Sequence, residues 1–234
     1  MKKDKKIIVF IIVFLFVFST NIQANIVRIN TNDESLISKD NIVLITGFEP
    51  FDVYDVNPSK LVAESLDGQI IDDAYVVGIV LPVDFEKSVE NITKAIIDYD
   101  PVLVISLGLA ASRNCINVEN LGINLKRYPR NESSWIFPRR IDKCGPFIKI
   151  SSLETIDIVD RIKEENISVK HSFYAGMYVC NAVLYRTLKY IQENELSIKA
   201  GFMHLPLLLS QDPEGMELDT MIDAVVITVE TSLD

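Results

Sequence analysis

The sequence predicts an α/β fold, a three-layer α/β/α sandwich around a mostly parallel central sheet in a single domain. Three observations carry this. Short apolar runs rich in Val and Ile recur along the chain; stretches with apolar residues at helical spacing separate them; and the 234 residues are 48% hydrophobic and 24% charged, enough to bury one sizeable core. Strand alternating with helix favours parallel pairing, and strands covered on both faces read as continuous apolar runs.

Taken in order, residues 42–45 (Ile-Val-Leu-Ile) form the first buried run, which Gly47 closes. Residues 59–66 then show a helical pattern. Residues 75–81 make a second strand that ends at Pro82, and residues 85–99 place Phe85, Val89, Ile92 and Ile96 on one helical face. The third strand, 102–107, stops at Gly108. The stretch 125–146, with Arg127, Arg130, Arg139, Arg140, Trp135 and several Pro, has no period and reads as a long irregular excursion. Residues 153–164 and 176–192 are helical patterns, 200–203 a fourth strand, and 215–230 the closing helix. In such sheets active residues gather beyond the carboxyl ends of the strands, so the loops after each run are where chemistry is expected.

Ahead of this body, Lys2, Lys3, Lys5 and Lys6 precede twelve unbroken apolar residues, 7–18, and a polar stretch ending at Ala24. That is the layout of a signal peptide, and the run is shorter than the roughly 17–25 residues a spanning helix needs. Residues 1–24 are therefore expected to be a signal peptide or an uncleaved N-terminal anchor, residues 25–40 a polar linker, and residues 41–234 the folded domain. Either form of leader predicts export, periplasmic or secreted. Removal of 1–24 leaves 19 basic against 32 acidic side chains, a net charge of −13. With no basic stripe, nucleic acid is excluded as a partner. Two His and three Cys exclude a disulfide scaffold and most zinc sites, and no metal or cofactor is expected.

With so few imidazoles and thiols the search for chemistry is short. Cys180 lies where a strand gives way to a helix, and the partial positive charge of a helix N-terminus favours thiolate. The competing reading is a buried Cys on an apolar helix face. His204 ends the strand 200–203 at a carboxyl edge, within reach of a neighbouring loop, whereas His171 has no such setting and reads as a bystander. A Cys-His pair needs a third group to orient the imidazole. Glu119, a carboxylate within an apolar segment, is the candidate, and Arg113 either pairs with a Glu or is solvated.

Three blocks of the sequence resemble the type I pyroglutamyl peptidases, or pyrrolidone-carboxylate peptidases. They are Ile45-Thr46-Gly47-Phe48-Glu49-Pro50-Phe51 with Asn57-Pro58-Ser59; residues 108–124, which carry Glu119; and residues 172–181 with Cys180-Asn181, followed by Gly201-Phe202-Met203-His204-Leu205-Pro206. The resemblance covers about residues 41–234. It implies a cysteine exopeptidase that removes N-terminal pyroglutamate from small peptides, with Cys180, His204 and Glu119 catalytic, and it leaves homo-oligomer formation open. Phe48 and Phe51 would wall an apolar pocket for the lactam ring, and Asn57 would fix that loop or contact substrate. Asp52-Val53 replaces a usual Gly pair, Leu109 a common Gln, and Asn120 an expected Arg, all at the border of the expected pocket. The family is typically cytoplasmic, the alternative to export. A binding protein that kept the pocket without turnover, or a hydrolase of another cyclic amide, are the rival functions. If the protein is exported, Cys115 and Cys144 are expected to pair, closing a loop of about thirty residues worth roughly 3–4 kcal/mol.

Overall fold

The computed structural model describes residues 41–128 and 137–234. The leader and linker expected at 1–40, together with Arg130 and Trp135, lie outside the described residues. Seven strands form one mixed sheet in the order β2-β3-β1-β4-β9-β5-β8: β1 Ile42–Phe48, β2 Ile70–Ile71, β3 Ala74–Leu81, β4 Leu103–Leu109, β5 Ile116–Glu119, β8 Val169–Ser172 and β9 Lys199–Leu205. A separate antiparallel pair joins β6 Leu121–Ile123 to β7 Ile148–Ile150. The core β3-β1-β4-β9 is parallel throughout, while β2 and β5 run against their neighbours β3 and β9.

Each apolar run does form a strand, because alternate residues feed two different cores. Val43 and Ile45 of β1 pack into one, with α1 Pro58–Leu66, α3 Thr155–Glu164 and α5 Leu218–Leu233. Leu44 and Phe48 pack into the other, with α2 Phe85–Tyr99 and α4 Val179–Glu193. This is the expected α/β/α sandwich. Among the described residues no helix is long and apolar enough to cross a membrane.

The helix starts differ from the sequence pattern, and local backbone explains why. The pattern from 176 becomes helical only at Val179, since Gly176 sits at φ +82° and Tyr178 is extended. Likewise 153–164 begins at Thr155 and 215–230 shifts to Leu218–Leu233. Strands β5 to β7 escaped the periodicity because they are only three or four residues long, and β5, Ile-Asn-Val-Glu, carries two polar side chains, while β8 is the strand read ahead of Cys180.

The described part of the excursion is irregular but tethered. Lys126 and Arg139 pair across its base. Buried Asn124 donates to the carbonyls of Asp142 (2.8 Å) and Gly145 (3.1 Å) and accepts from the Asp142 amide (2.8 Å), while Lys189 of α4 bridges to the Asp142 carboxylate at 2.9 Å. The expected disulfide is not formed. Cys115 is buried at the start of β5, where the Asn117 side chain donates to its carbonyl, and Cys144 stands exposed on the excursion. Both are free thiols, so the export reading rests on residues 1–24 alone.

Candidate active site

Cys180 is the second residue of α4, reached through the loop after β8. Its sulfur lies over Gly108 of β4. A Cβ added at Gly108 would sit 2.8 Å from Cys180 Sγ and 2.8 Å from Phe202 Cζ, so only glycine leaves room for the nucleophile. Gly108 is the register partner of His204 in the parallel β4–β9 ladder, which puts sulfur and imidazole over the same end of the same sheet face.

His204 and Phe202 alternate onto that face, their rings 4.8 Å apart. Antiparallel β5 lies on the other side of β9, with Asn117 opposite His204 and Glu119 opposite Phe202. From there Glu119 Oε1 meets His204 Nδ1 at 2.7 Å, with the carboxylate fully buried and the imidazole nearly so. A carboxylate acceptor fixes the tautomer, Nδ1 carrying the hydrogen and Nε2 left to exchange a proton with the thiol. Arg113, from the β4–β5 loop, donates Nη1 to the same Glu119 oxygen at 2.7 Å and Nη2 to the Tyr174 carbonyl at 2.9 Å. Burial alone would raise the Glu119 pKa. The hydrogen bond and charge of His204, with Ser172 and Arg113, outweigh it and hold the carboxyl below its usual range, so Glu119 is an anion.

The expected thiolate is corrected by burial. A helix N-terminus supplies about 0.3–1 kcal/mol, whereas burial can shift a pKa by several units of about 1.4 kcal/mol each. Burial of the sulfur, in a residue that is itself partly exposed, pushes the Cys180 thiol up to about 12; a contact with its own backbone N–H opposes this, the Glu119 charge adds to it, and Arg113 relieves it. This direction favours the neutral thiol, whose proton must leave as the sulfur attacks.

The remaining sequence candidates fall into two groups. Phe48 is buried in the core beneath the site with Phe202 and Val179, its amide bonded to Ser59 Oγ at 3.1 Å. Phe51 is half-buried in the loop after β1, edge-on to Tyr54. Asn57 is turned inward and caps α1: its Oδ1 accepts from Ser59 N (3.1 Å) and Ser59 Oγ (2.8 Å), and its Nδ2 donates to the Glu49 carbonyl (3.1 Å), tying down the loop that bears Phe51. Of the three positions marked as departures, Asp52 is at the exposed tip of that loop in the left-handed region, φ 54°, and Leu109 is buried at the end of β4. Asn120 turns away from Glu119 to Thr155 Oγ1 (2.6 Å) and His171 (3.4 Å), packing β5 onto α3 rather than bordering the pocket.

Three contributors are only partly legible in the sequence. Gly108 reads as a strand end. Arg113 reads as either paired or solvated. Fully buried Asn181 follows the nucleophile and exchanges hydrogen bonds with Ile123 (2.9 Å to its amide, 2.8 Å to its carbonyl) and Leu125 (2.9 Å), fixing the first turn of α4 to β6. An Asn within an apolar helix was the available signal, since a buried amide needs partners.

A cavity of about 210 Å³ opens at the carboxyl ends of β4 and β9, lined by Ala111, Arg113, Leu207, Asp212, Glu214 and Gly215. A larger one, about 570 Å³, lies between α3 and α5, away from these residues. Among the described residues no three His, Cys, Asp or Glu side chains cluster as a metal site would require.

A family model described as pyroglutamyl peptidase matches residues 41–234. The chain is 34% identical over 196 residues to a pyrrolidone-carboxylate peptidase of Coprothermobacter proteolyticus, covering 80% of this chain and 95% of that protein. It is 36% identical over 195 residues to one from Caldanaerobacter subterraneus, covering 80% and 96%. Among solved structures, pyrrolidone carboxyl peptidase from Thermococcus litoralis superimposes with a TM-score of 0.76 at 32% identity, covering 83% of this chain and 94% of that one. A variant of the Pyrococcus furiosus enzyme gives 0.77 at 32% identity, covering 82% and 98%.

Proposed function

Since the chain belongs to the pyroglutamyl peptidase family, we propose that it hydrolyses the amide bond after an N-terminal pyroglutamyl residue of small peptides, with Cys180 as nucleophile, His204 as proton carrier and Glu119 as the group that orients and charges His204. The observation that carries this reading is the buried 2.7 Å Glu119–His204 contact lying beside the sulfur that fills the space over Gly108.

The chemistry follows from those positions. As Cys180 Sγ attacks the pyroglutamyl carbonyl, its proton passes to His204 Nε2, and ionised Glu119 stabilises the imidazolium through Nδ1–H. Backbone N–H groups in the first turn of α4, which lack intrahelical acceptors, suit the oxyanion. The imidazolium then protonates the departing amine as the C–N bond breaks, leaving a thioester. Water, activated by neutral His204, attacks it and releases pyroglutamate and the thiol. A lactam carries no charge, so half-buried Phe51 is an apt neighbour for its ring, with Phe48 packed in the core behind, and no carboxylate is needed to receive an ammonium group.

Release of a fluorophore from a pyroglutamyl amide by purified residues 25–234 tests the reading. Turnover abolished by Cys180→Ala is the expected result. A folded protein that binds the amide without cleaving it would mark a binding protein instead. The layout of residues 1–24 supports export of this activity, and N-terminal sequencing of protein recovered outside the cytoplasm checks it.

A further inference from the structure

Arg113 belongs to neither the nucleophile nor the proton carrier, yet it touches what holds both. One end of its guanidinium donates to Glu119 Oε1, the oxygen that also receives His204 Nδ1; the other donates to the backbone carbonyl of Tyr174, in the loop that delivers Cys180. A planar fork with two donors spanning two acceptors is a geometry that Arg supplies and Lys does not. The loop is also held at Ser172, whose carbonyl accepts from the Asn120 amide (2.7 Å), and at Met177, whose carbonyl accepts from the Arg127 amide (2.7 Å), but of these contacts only that of Arg113 ties it to Glu119. Tyr174 and Phe173 are largely exposed, and Gly176 takes a left-handed turn with nothing within 4 Å of where its Cβ would be. The guanidinium also neutralises a fully buried carboxylate that would otherwise face a developing thiolate.

We propose that Arg113 is a positioning residue of the reaction: a single brace that fixes Glu119 and the Cys180 loop together and offsets the Glu119 charge as negative charge grows on sulfur. The proposal rests on the Cys180–His204–Glu119 reading, and it extends that reading by making Glu119 and the nucleophile loop one coupled unit. The charged or titratable groups around the thiol are Glu119 from β5, His204 from β9 and Arg113 from the β4–β5 loop.

The test compares Arg113→Met and Arg113→Lys, each alone and with Glu119→Gln, by turnover of a pyroglutamyl amide and by the pH dependence of Cys180 alkylation with iodoacetamide, followed by peptide mass spectrometry. The Met variant is expected to lose about 10- to 100-fold in kcat, the range for a hydrogen bond to a charged group, with KM little changed and the alkylation profile displaced to higher pH. The Lys variant keeps the profile near its native position and recovers part of kcat. In the Glu119→Gln background the Met substitution should cost little more, because the charge it balances is gone. Equal losses in both backgrounds, a loss confined to KM, or unchanged alkylation profiles would each overturn the proposal. If the Met variant fails to fold, the Lys variant decides alone: native kcat there overturns the two-pronged brace. Alkylation needs no turnover, so a protein inert towards the pyroglutamyl amide would sink the proposed function while leaving the Arg113 inference readable.

Discussion

Adding one methyl group at Gly108 perturbs the nucleophile without replacing any reacting group. The new Cβ of Gly108→Ala would lie 2.8 Å from Cys180 Sγ, 2.8 Å from Phe202 Cζ and 3.1 Å from Phe202 Cε1, whereas ordinary contacts begin near 3.4 Å. Phe202 is fully buried and has nowhere to go, so the sulfur must retreat by about 0.6 Å. Overpacking of this kind costs about 1–3 kcal/mol, which a fold stable by about 5–15 kcal/mol survives. The catalytic cost is larger, because a misplacement near 1 Å lowers rates by about 10²-fold. We expect kcat for a pyroglutamyl amide to fall roughly 30- to 100-fold in a protein that still unfolds cooperatively. Gly201→Ala is the matched control: its Cβ would strike Leu153 Cδ1 at 2.3 Å on the opposite face of the sheet, lowering the Tm while sparing kcat. If Gly108→Ala keeps its native kcat, or loses no more than Gly201→Ala, the placement of the sulfur over β4 is wrong.

The other expectations concern the same machinery. Cys180→Ala and His204→Ala should each abolish turnover, while His171→Ala, at a side chain that meets Asn120 at 3.4 Å, should be nearly silent; a dead His171 variant beside an active His204 variant would reassign the base. Glu119→Gln should cut kcat by at least about 10²-fold while circular dichroism stays native, since the imidazole loses its counter-charge but keeps a partner of the same shape; loss of the folded spectrum would make Glu119 structural. Asn57→Ala should lower stability to denaturant by about 1–2 kcal/mol, through the lost cap and the freed loop, and leave kcat nearly intact; a collapse in kcat instead would place Asn57 against substrate. The raised Cys180 pKa gives an alkaline signature. The folded state favours the neutral thiol, so this stability is present below the unfolded thiol pKa near 8.5 and fades as pH rises towards about 12. Cys180→Ala should flatten that limb, and urea midpoints from pH 8 to 11 that change equally in both proteins would refute the burial argument.

The fold was legible where residues serve two cores at once. Ile42–Phe48 and Leu103–Leu109 read as strands because burial on both faces leaves no polar alternation, and Phe85–Tyr99 read as a helix because only one face is covered. The short strands did not read, since Ile116–Glu119 takes its conformation from β9 and β8 on either side and not from its own sequence. Chemically distinctive residues could be singled out, because Cys and His are few. What sequence could not weigh was environment. The helix terminus at Cys180 is real, but the depth of burial that overrides it is a property of the assembled site. Asn120 follows Glu119 in the chain, yet a strand sends successive side chains to opposite faces, so adjacency in sequence meant separation in space. The Cys115–Cys144 pairing failed for a related reason: spacing says nothing about where a buried strand start and an exposed loop thiol come to lie.

The reversed strand explains how one site can hold a neutral thiol and an anionic carboxylate together. Were β5 parallel to β9, residues at its carboxyl end would emerge beside the loops, in reach of water. Running antiparallel, β5 carries Glu119 inward, opposite Phe202 and two pairs below Asn117 and His204. There the carboxylate is fully buried, a costly placement that His204 and Arg113, both on Oε1, offset, while Oε2 has no hydrogen-bond partner among the described residues. The same low-dielectric surroundings push the Cys180 thiol pKa up, so the site disfavours charge on sulfur before attack. Electrostatic attraction strengthens in such surroundings, and the Glu119–imidazolium pair gains most at the moment His204 takes the thiol proton. Burial thus opposes charge on sulfur at rest and strengthens the pair that forms as the sulfur attacks, which places the cost and its compensation in one proton transfer.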